Sequence, residues 1–495
     1  MSQLVAVIDI GKTNKKVVLI DESLQAVATC QQSFPAQAGP DGVLVEQTEA
    51  IWDFLTATLG QLFRAHPFQA IAVTTHGATW AGLAADGALA FPVIAYEHGL
   101  NEAEQTALDA EFYRRCGPLP RLQDETGSCD LPLLINPAKM VLFAQQRWPA
   151  QAARLARLVN YPQYWGYRLT DALAAEPTYT ANHSFLFDIR RGVPSSAATA
   201  LGVAHAVDCT FKRPWDRLGT LTPSLQQRLG LPALPVAVGI HDSNAALLPY
   251  LVKHRERDFA LNSTGTWCVA MHRVSQVAYA PDELGQKVIF NLDAFGQLFK
   301  TSFLMGGQDY GLYHELIGGN DPAFVAERLN AVLARTGDAI LPGAFPSQFP
   351  RCSGGALADG RTVSLADVKA GRGPAWFSDA AIAHDLLNIS LALQTEVALR
   401  RTGIGATTAI FIEGGFRNNG TFLAVLAALF PTNPVLLTNL AQATASGAAL
   451  LGHALLAGTT PAEVAQAVVI EEQAVARPAL PALAAYRTAW LTAAG

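Results

Sequence analysis

The chain has 495 residues, half of them apolar and 15% charged, with a formal net charge of −6. That is enough material for two large domains with buried cores. Lys and Arg are scattered without a basic block, which excludes nucleic acid as the main partner, and the longest apolar runs, such as "FLAVLAALF", fall short of the roughly 20 residues that cross a bilayer.

The N-terminus "MSQLVAVIDI" has no basic n-region, so it does not read as a signal peptide. It enters "VIDIGKTNKK", whose Gly-Lys-Thr triplet resembles the end of a P-loop. The first glycine of that motif would fall at residue 6, which is Ala6, and "KKVVLID" after the turn is a β-branched strand where a helix is required. Leu4–Ile20 therefore reads as a β-hairpin turning at "GKTN". Its turn offers backbone N–H groups and a hydroxyl to an anion, and Lys12 and Lys16 add positive charge. Asp9, at the strand end, suits phosphate only with a hydrated Mg²⁺ between them. An ordinary hairpin with Asp9 capping its turn is the alternative, and the stretch alone favours it.

Further along, "QAVATCQQSF" is a third strand, and Thr48–His66 is an amphipathic helix with Thr48 as N-cap. "QAIAVTTHG" is a strand with a polar tip, followed by a short strand and turn in "TWAGLAADG". "PAKMVLFAQQRW" and "AQAARLARLV" read as helices. "LPALPVAVGIHDSNAALL" gives a strand, a polar tip and a helix start. Strands alternating with crossover helices predict an α/β domain with a mixed sheet. After about residue 245 the pattern restarts: "RDFALNSTGTWCVAMHR" is again strand, polar turn, strand. A long helix follows with Ser378 as N-cap and Gly403 just past its end. The strands "AIFIEGGF" and "NPVLLTN" and the small-residue helix "ATASGAALLGHALLAG" complete the half. The two halves form a weak internal repeat, which places a ligand in the crevice between them. Residues 275–375, rich in Gly, Pro and Phe, yield little. The six cysteines lie far apart, with no C-x-x-C and no zinc spacing, so they read as reduced, mostly buried thiols of a cytosolic protein.

Ligands of open α/β sheets bind at strand ends, so the polar tips are the candidate site. "STGTW" has the hydroxyls and glycine of an anion nest around Thr264, Gly265 and Thr266, or is a plain β-turn. In "GIHDSNAA", Asp242 is placed either to take a proton from an attacking hydroxyl or to cap the helix, and the two roles are compatible. "EGGFRNNG" allows close backbone approach at Gly414 and Gly415, with Asn418 and Asn419 near a base or ribose, or Asn419 as a helix cap. "TTHGATWAGL" supplies His76, Thr79 and Trp80, which suit a sugar but are as often core residues.

In this order the tips resemble the FGGY carbohydrate kinase family. "DIGKTNKK" is similar to its Asp-x-Gly-Thr-x-x-x-Arg phosphate motif at Asp9, Gly11 and Thr13, with Lys12 and Lys16 in place of Thr and Arg. "GIHDSNAA" matches Gly-x-x-Asp, and "STGTW" resembles the Ser-Gly-Thr-Trp of rhamnulokinase-like members. "EGGFRNN" through "ATASGAALLG" resembles the adenosine segment, with Phe416 breaking the glycine run and Gln442 replacing a Glu. "THGATWAG" resembles the sugar motif Asp-Thr-Trp-Gly at Thr79 and Trp80, and Glu97 and His98 in "VIAYEHG" depart from the family's Tyr-Arg-Asp or Trp-Asn-Asp. "NYPQYWGYRLTD" and "SFLFDIRRG" look like the family's helix and Leu-Phe-Asp segment.

The resemblance implies an α/β fold of two actin/hexokinase-like (ribonuclease H-like) ATPase domains with a cleft between them, residues 1–244 binding sugar and 245–495 binding nucleotide. It implies a cytoplasmic, ATP- and Mg²⁺-dependent sugar kinase. Asp242 is then the base and Asp9 the metal carboxylate. Gly11, Lys12, Thr13, Lys16, Thr264, Gly265, Thr266, Gly414, Gly415 and Asn418 are on ATP, and His76, Thr79, Trp80, Glu97, His98 and His241 on the sugar. The "HD", "TW" and "GTW" pairs lean toward a deoxyketose, rhamnulose or fuculose; a polyol or pentulose kinase and a non-catalytic actin-like protein are the rivals. The family also raises a homodimer.

Overall fold

The computed structural model describes residues 3–39, 41–319, 321–344, 347–349, 351–440, 442–465 and 469–495. Two mixed sheets organise it. The first runs, in spatial order, Arg217–Thr220, Pro235–Ala237, Ala70–Thr75, Val5–Ile10, Asn14–Ile20 and Ala26–Ser33; Ile240–His241 also pairs with Ala70–Thr75. Neighbouring strands pair antiparallel, parallel, parallel, antiparallel and antiparallel.

The second sheet runs Glu472–Ala474, Val435–Thr438, Ala409–Gly414, Phe259–Thr264, Cys268–Arg273 and Leu298–Leu304, with the same succession of pairings. One further antiparallel strand, Val288–Leu292, extends it. The repeat seen faintly in sequence is therefore a repeat of whole-sheet topology, in agreement with the expected two-domain actin/hexokinase-like α/β fold. Every residue of Val5–Ile10 is buried, as for a strand covered on both faces.

Two helices lie between the sheets. In Ala443–Ala457, the small residues Ala445, Ala448 and Ala449 and the bulkier Leu451 share a core with Val5, Val7, Ala70 and Ala72 of the first sheet. The helix Asp242–Lys253 joins that core through Ala245, Leu248 and Val252, and sends Leu247, Tyr250 and Leu251 against Phe259, Leu261 and Phe411 of the second sheet. The chain therefore returns from the second half to cover the first. Where the helices meet, a β-carbon on Gly447 would collide with the carbonyl oxygen of Ala245. That oxygen is available because Pro249, four residues on, has no N–H to bond it.

Some local expectations change. "AQAARLARLV" is a short helical turn, Pro149–Ala152, followed by a strand, Leu155–Asn160, that pairs antiparallel with Trp80–Ala84. An available strand partner outweighs the helix propensity of Ala, Leu and Arg. Thr48 is the first helical residue of Thr48–Ala65 and caps nothing. Ser378 lies in a 3₁₀ turn, and Asp379 caps the long helix Ala380–Arg401 by accepting from the N–H groups of Ala381 and Ile382. Gly403 follows that helix with φ +81, as expected. All six cysteines are free thiols, three buried and three half-buried. Among the described residues no helix is long and apolar enough to cross a membrane.

The close approach at Gly447 predicts that Gly447→Ala lowers folding stability by about 1–3 kcal/mol. A urea titration with an unchanged midpoint would show that the helices separate freely.

Candidate active site

The strand Ala70–Thr75 sets the geometry. On one side Asp9 pairs with Thr74; on the other Ile240 pairs with the same Thr74 and His241 with Thr75. Two strand spacings, roughly 10 Å, therefore separate the backbones that carry Asp9 and lead into Asp242. Burial pushes the Asp9 carboxyl up to about 6, with Lys16 pulling it down and the charge of Asp242 pushing it further up. Lys16 Nζ lies 3.7 Å from Asp9 Oδ2. Burial likewise raises Asp242 to about 6, against hydrogen bonds from Ser243. Asp242 is the first helical residue, not the cap: the chain enters the helix through His241 in extended conformation. Ser243 donates its backbone N–H to Asp242 Oδ1 at 2.6 Å and its hydroxyl to the same atom at 3.3 Å. Among the described residues no protein group donates to Oδ2, which is the atom left for a ligand.

Asp242 lines a cavity of about 840 Å³. One wall comes from the first half, with His76, Tyr96, His183 and His241; the other comes from one face of the second sheet. There Val269 and Met271 alternate along one strand, with Trp267 in the turn just before it, Thr301 and Phe303 on the next strand and Ile289 and Asn291 on the third. The register confirms a shared face: Val269 opposes Phe303, and Thr301 opposes both Met271 and Ile289. Ala78, Leu131, Ile135, Ile289 and Phe303 join in a small apolar cluster that bridges the halves.

A second cavity, of about 1080 Å³, lies beside the second sheet and is lined by Thr264, Gly265, Gly415, Asn418, Tyr310 and Phe416. The turn from Thr264 to Trp267 thus has Thr264 and Gly265 on this cavity and Trp267 on the first. Close packing here requires glycine. A β-carbon on Gly307 would collide with Gly265 O, and one on Gly414, whose φ is +83, with Thr264 O. Thr264 Oγ1 donates to Glu413 O and accepts from Phe416 N at 3.0 Å, which ties the two turns together. Asn419 caps the following helix by accepting from Phe422 N. Gly414 ends its strand and Thr266 sits exposed at the turn, both outside the cavity lining. Gly11 and Thr13 lie in the first hairpin turn, Thr13 exposed.

Several candidates are placed otherwise than expected. Lys12 pairs with Glu46 and, at 2.6 Å, with Glu97, and it sits over the Tyr96 ring; its charge is already matched, so it is not a free phosphate cation. Glu97 is engaged there, and its neighbour Tyr96 reaches the cavity instead. His98 lies in a separate groove with Phe143 and Arg147, where its Nδ1 accepts from Leu44 N. Trp80 is a core side chain, 2% exposed. Thr79 is buried and binds His76: His76 Nδ1–H donates to Ile10 O at 3.1 Å, so Nε2 accepts from the Thr79 hydroxyl at 3.0 Å. Both nitrogens of His76 are thus occupied, and burial holds its pKa down near 3. His241 does line the cavity.

The sequence reading missed Tyr96, Asn182, His183, Asn244, Trp267, Asn291 and Thr301 as lining residues. The polar "TANHS" ahead of the apolar "FLFD" was the available signal for Asn182 and His183.

Among the described residues no group of three His, Cys, Asp or Glu is placed to hold a metal by itself. Asp9 and Asp242 are hard oxygen donors with an excess of negative charge, which fits a divalent cation that takes its remaining ligands from water and phosphate.

A family model described as the N-terminal domain of the FGGY family of carbohydrate kinases matches residues 4–249, and a carbohydrate kinase FGGY C-terminal domain model matches residues 256–461. L-fuculokinase of Escherichia coli (strain K12) is 22% identical over 282 residues, which cover 56% of this chain and 57% of that protein. Rhamnulokinase of Bacteroides thetaiotaomicron is 31% identical over 112 residues, 22% of this chain and 23% of that one. The matches thus span little more than half the length of these curated relatives at most. Among solved structures, a carbohydrate kinase from Novosphingobium aromaticivorans superposes with TM-score 0.77 at 27% identity, covering 100% of this chain and 98% of that one. Plasmodium falciparum glycerol kinase with ADP shares the fold at TM-score 0.77 and 13% identity, covering 99% and 97%.

The raised carboxyls fix a pH dependence of stability. Between the ordinary value of 3.8 and about 6, the unfolded chain loses these protons before the folded one does. Stability therefore falls as pH rises through that window, and the cost persists above it. Because 33% of the Asp242 side chain faces the cleft, water screens part of this cost. Asp242→Asn is expected to gain about 1 kcal/mol at pH 7 and nothing below pH 3.8. Denaturant titrations at both pH values read this directly; equal stabilities at pH 7 would mean that the carboxylate is well solvated.

Proposed function

The chain belongs to the FGGY family of carbohydrate kinases, and from that premise we propose that it transfers the γ-phosphate of ATP to a hydroxyl of a ketose, a deoxyketose such as rhamnulose or fuculose being favoured. The observation that carries the reading is Asp242: a half-buried carboxylate at a helix start, with Oδ1 held by Ser243 and its cavity shared by both halves. A carboxylate so held accepts the hydroxyl proton as the oxygen attacks phosphorus.

The sugar occupies the cavity with Asp242, His76 and His241, mainly against residues 1–244. ATP occupies the second cavity within 245–495, with its phosphates passing Thr264, Gly265 and Thr266 toward the first hairpin turn, where Gly11 and Thr13 lie. Gly414, Gly415 and Asn418 shape the nucleotide side. Lys16 steadies the transferred group, and Asp9 is the carboxylate that would hold Mg²⁺, which would supply charge neutralisation for the phosphates. Of the remaining expected contacts, Thr79 acts through His76, while Lys12 and Glu97 support Tyr96. The apolar edge of Leu131, Ile135 and Phe303 suits a sugar with a deoxy carbon, and the fuculokinase and rhamnulokinase relatives favour the same class.

Phosphorylation of a ketose and polyol panel, followed by ADP release, tests the substrate. Preference for xylulose or glycerol would shift the class, and ATP binding without ADP release from any acceptor would point to an actin-like regulator. Asp242→Ala is expected to lower kcat about 10²–10⁴-fold while ATP binding stays near wild type; retained turnover removes the base assignment. In the wild type, kcat/KM should fall as pH drops through about 6, where Asp242 takes up its proton. Asp9→Asn should raise the Mg²⁺ concentration needed for half-maximal rate, and an unchanged Mg²⁺ titration rules out its metal role.

A further inference from the structure

His183 lines the Asp242 cavity beside His241 and is only half-buried, so part of its ring faces the open space. Its Nδ1 is closed to solvent, while its Nε2 edge lies toward Gly77, another lining residue. His183 carries a β-carbon at φ +38, and Ala78, which also lines the cavity, stands at +68. Leu133, between the lining residues Leu131 and Ile135, and Phe185, two residues after His183, stand at +57 and +59.

The strained segment is fastened on both sides. Asn136, fully buried, donates to His183 O at 2.7 Å and to Cys129 O at 3.1 Å, and accepts from Leu131 N. Phe185 N donates to Ser128 Oγ. A backbone held this way against its preference keeps one side chain where relaxation would withdraw it. The neighbouring Asn182 Nδ2 lies 3.3 Å from His241 Nε2. With the amide donating there, His241 carries its proton on Nδ1, 3.6 Å from Asp242 Oδ1; the opposite arrangement would set a lone pair against the carboxylate. A β-carbon on Gly77 would collide with His241 Nε2 and approach His183 Nε2 to 3.4 Å, so the missing side chain at residue 77 makes room for both rings.

We propose that His183 is a specificity-determining contact, reading a hydroxyl of the sugar that its neighbour His241 presents to Asp242. A neutral imidazole offers one donor and one acceptor, which matches a hydroxyl in either sense, and burial keeps both rings neutral. The assignment rests on the reading of this cavity as the sugar site.

The test uses two variants of the full chain. His183→Gly removes the ring and suits the positive φ, so folding is preserved. His183→Asn tolerates the same backbone and restores a donor and an acceptor. Calorimetric titration with L-fuculose, L-rhamnulose, D-xylulose and glycerol gives sugar affinity without turnover, and ADP release is followed separately. The expected result is a loss of about five- to tenfold in affinity for the preferred sugar in His183→Gly, the worth of one neutral hydrogen bond. Part of the loss should return in His183→Asn, with ATP affinity unchanged and thermal stability unchanged or raised. Sugar affinity equal to wild type in His183→Gly, or no binding of any of the four to the wild type, overturns the proposal. Sugar binding that responds to His183 without ADP release would leave this contact standing and remove the kinase reading; ADP release with an indifferent His183 would do the reverse.

Discussion

Two carboxylates on either side of one strand, Asp9 buried and Asp242 half-buried, are the constraint from which the rest of the molecule follows. Asp9 and the residues leading into Asp242 pair with opposite edges of Ala70–Thr75, so neither can shift without breaking a sheet ladder. Each carboxyl is raised by burial, and Asp9 also by the charge of Asp242. An arrangement of this kind opposes folding, and the sheets and the two helices between them must outweigh it. Function and stability pull against each other at the same atoms, as they do where charge is stored for reaction.

Around that pair the structure separates two kinds of polar group. Those that shape the site are tied to other protein groups: His76 has both nitrogens bonded. Lys12 and Glu46 form an ion pair, the buried Lys15 donates to Lys12 O and Phe34 O, and Glu97 completes the set. Those that face the cavity are tied less: Asp242 is held through Oδ1 by Ser243, and His183 stands half-buried in the cavity wall. The same division runs through the Thr264–Trp267 turn, where the Thr264 hydroxyl is fully engaged and Gly265 leaves bare backbone toward the second cavity.

The sequence made the strand ends legible because apolar β-branched runs stop at small polar clusters, and Asp9, Asp242, Gly265, Gly415 and Asn418 all fall at such ends. It did not show which side chain at an end faces the cavity. Ala78 at φ +68 reverses the chain after His76, and the next two residues, Thr79 and Trp80, turn into the core. One position separates Tyr96, in the cavity, from Glu97, paired with Lys12. The second-half wall was invisible for another reason. Ile289, Asn291, Thr301 and Phe303 belong to the site only because two antiparallel strands align their alternate residues on one face, a fact of pairing and not of composition. The helix read in "AQAARLARLV" failed likewise, its partner strand Trp80–Ala84 lying some 70 residues earlier in the chain.

The meeting of the two central helices has a mechanical consequence. Ridges of side chains that interlock between helices fix an angle as well as a distance. At Gly447 and Ala245 there are none to interlock: a proline four residues on has freed the carbonyl, and the absent β-carbon lets it approach bare backbone. Contact of that sort holds the two helices at backbone distance. A side chain added at residue 447 would have to displace a whole helix, together with the sheet it covers, because no neighbouring rotamer is there to yield.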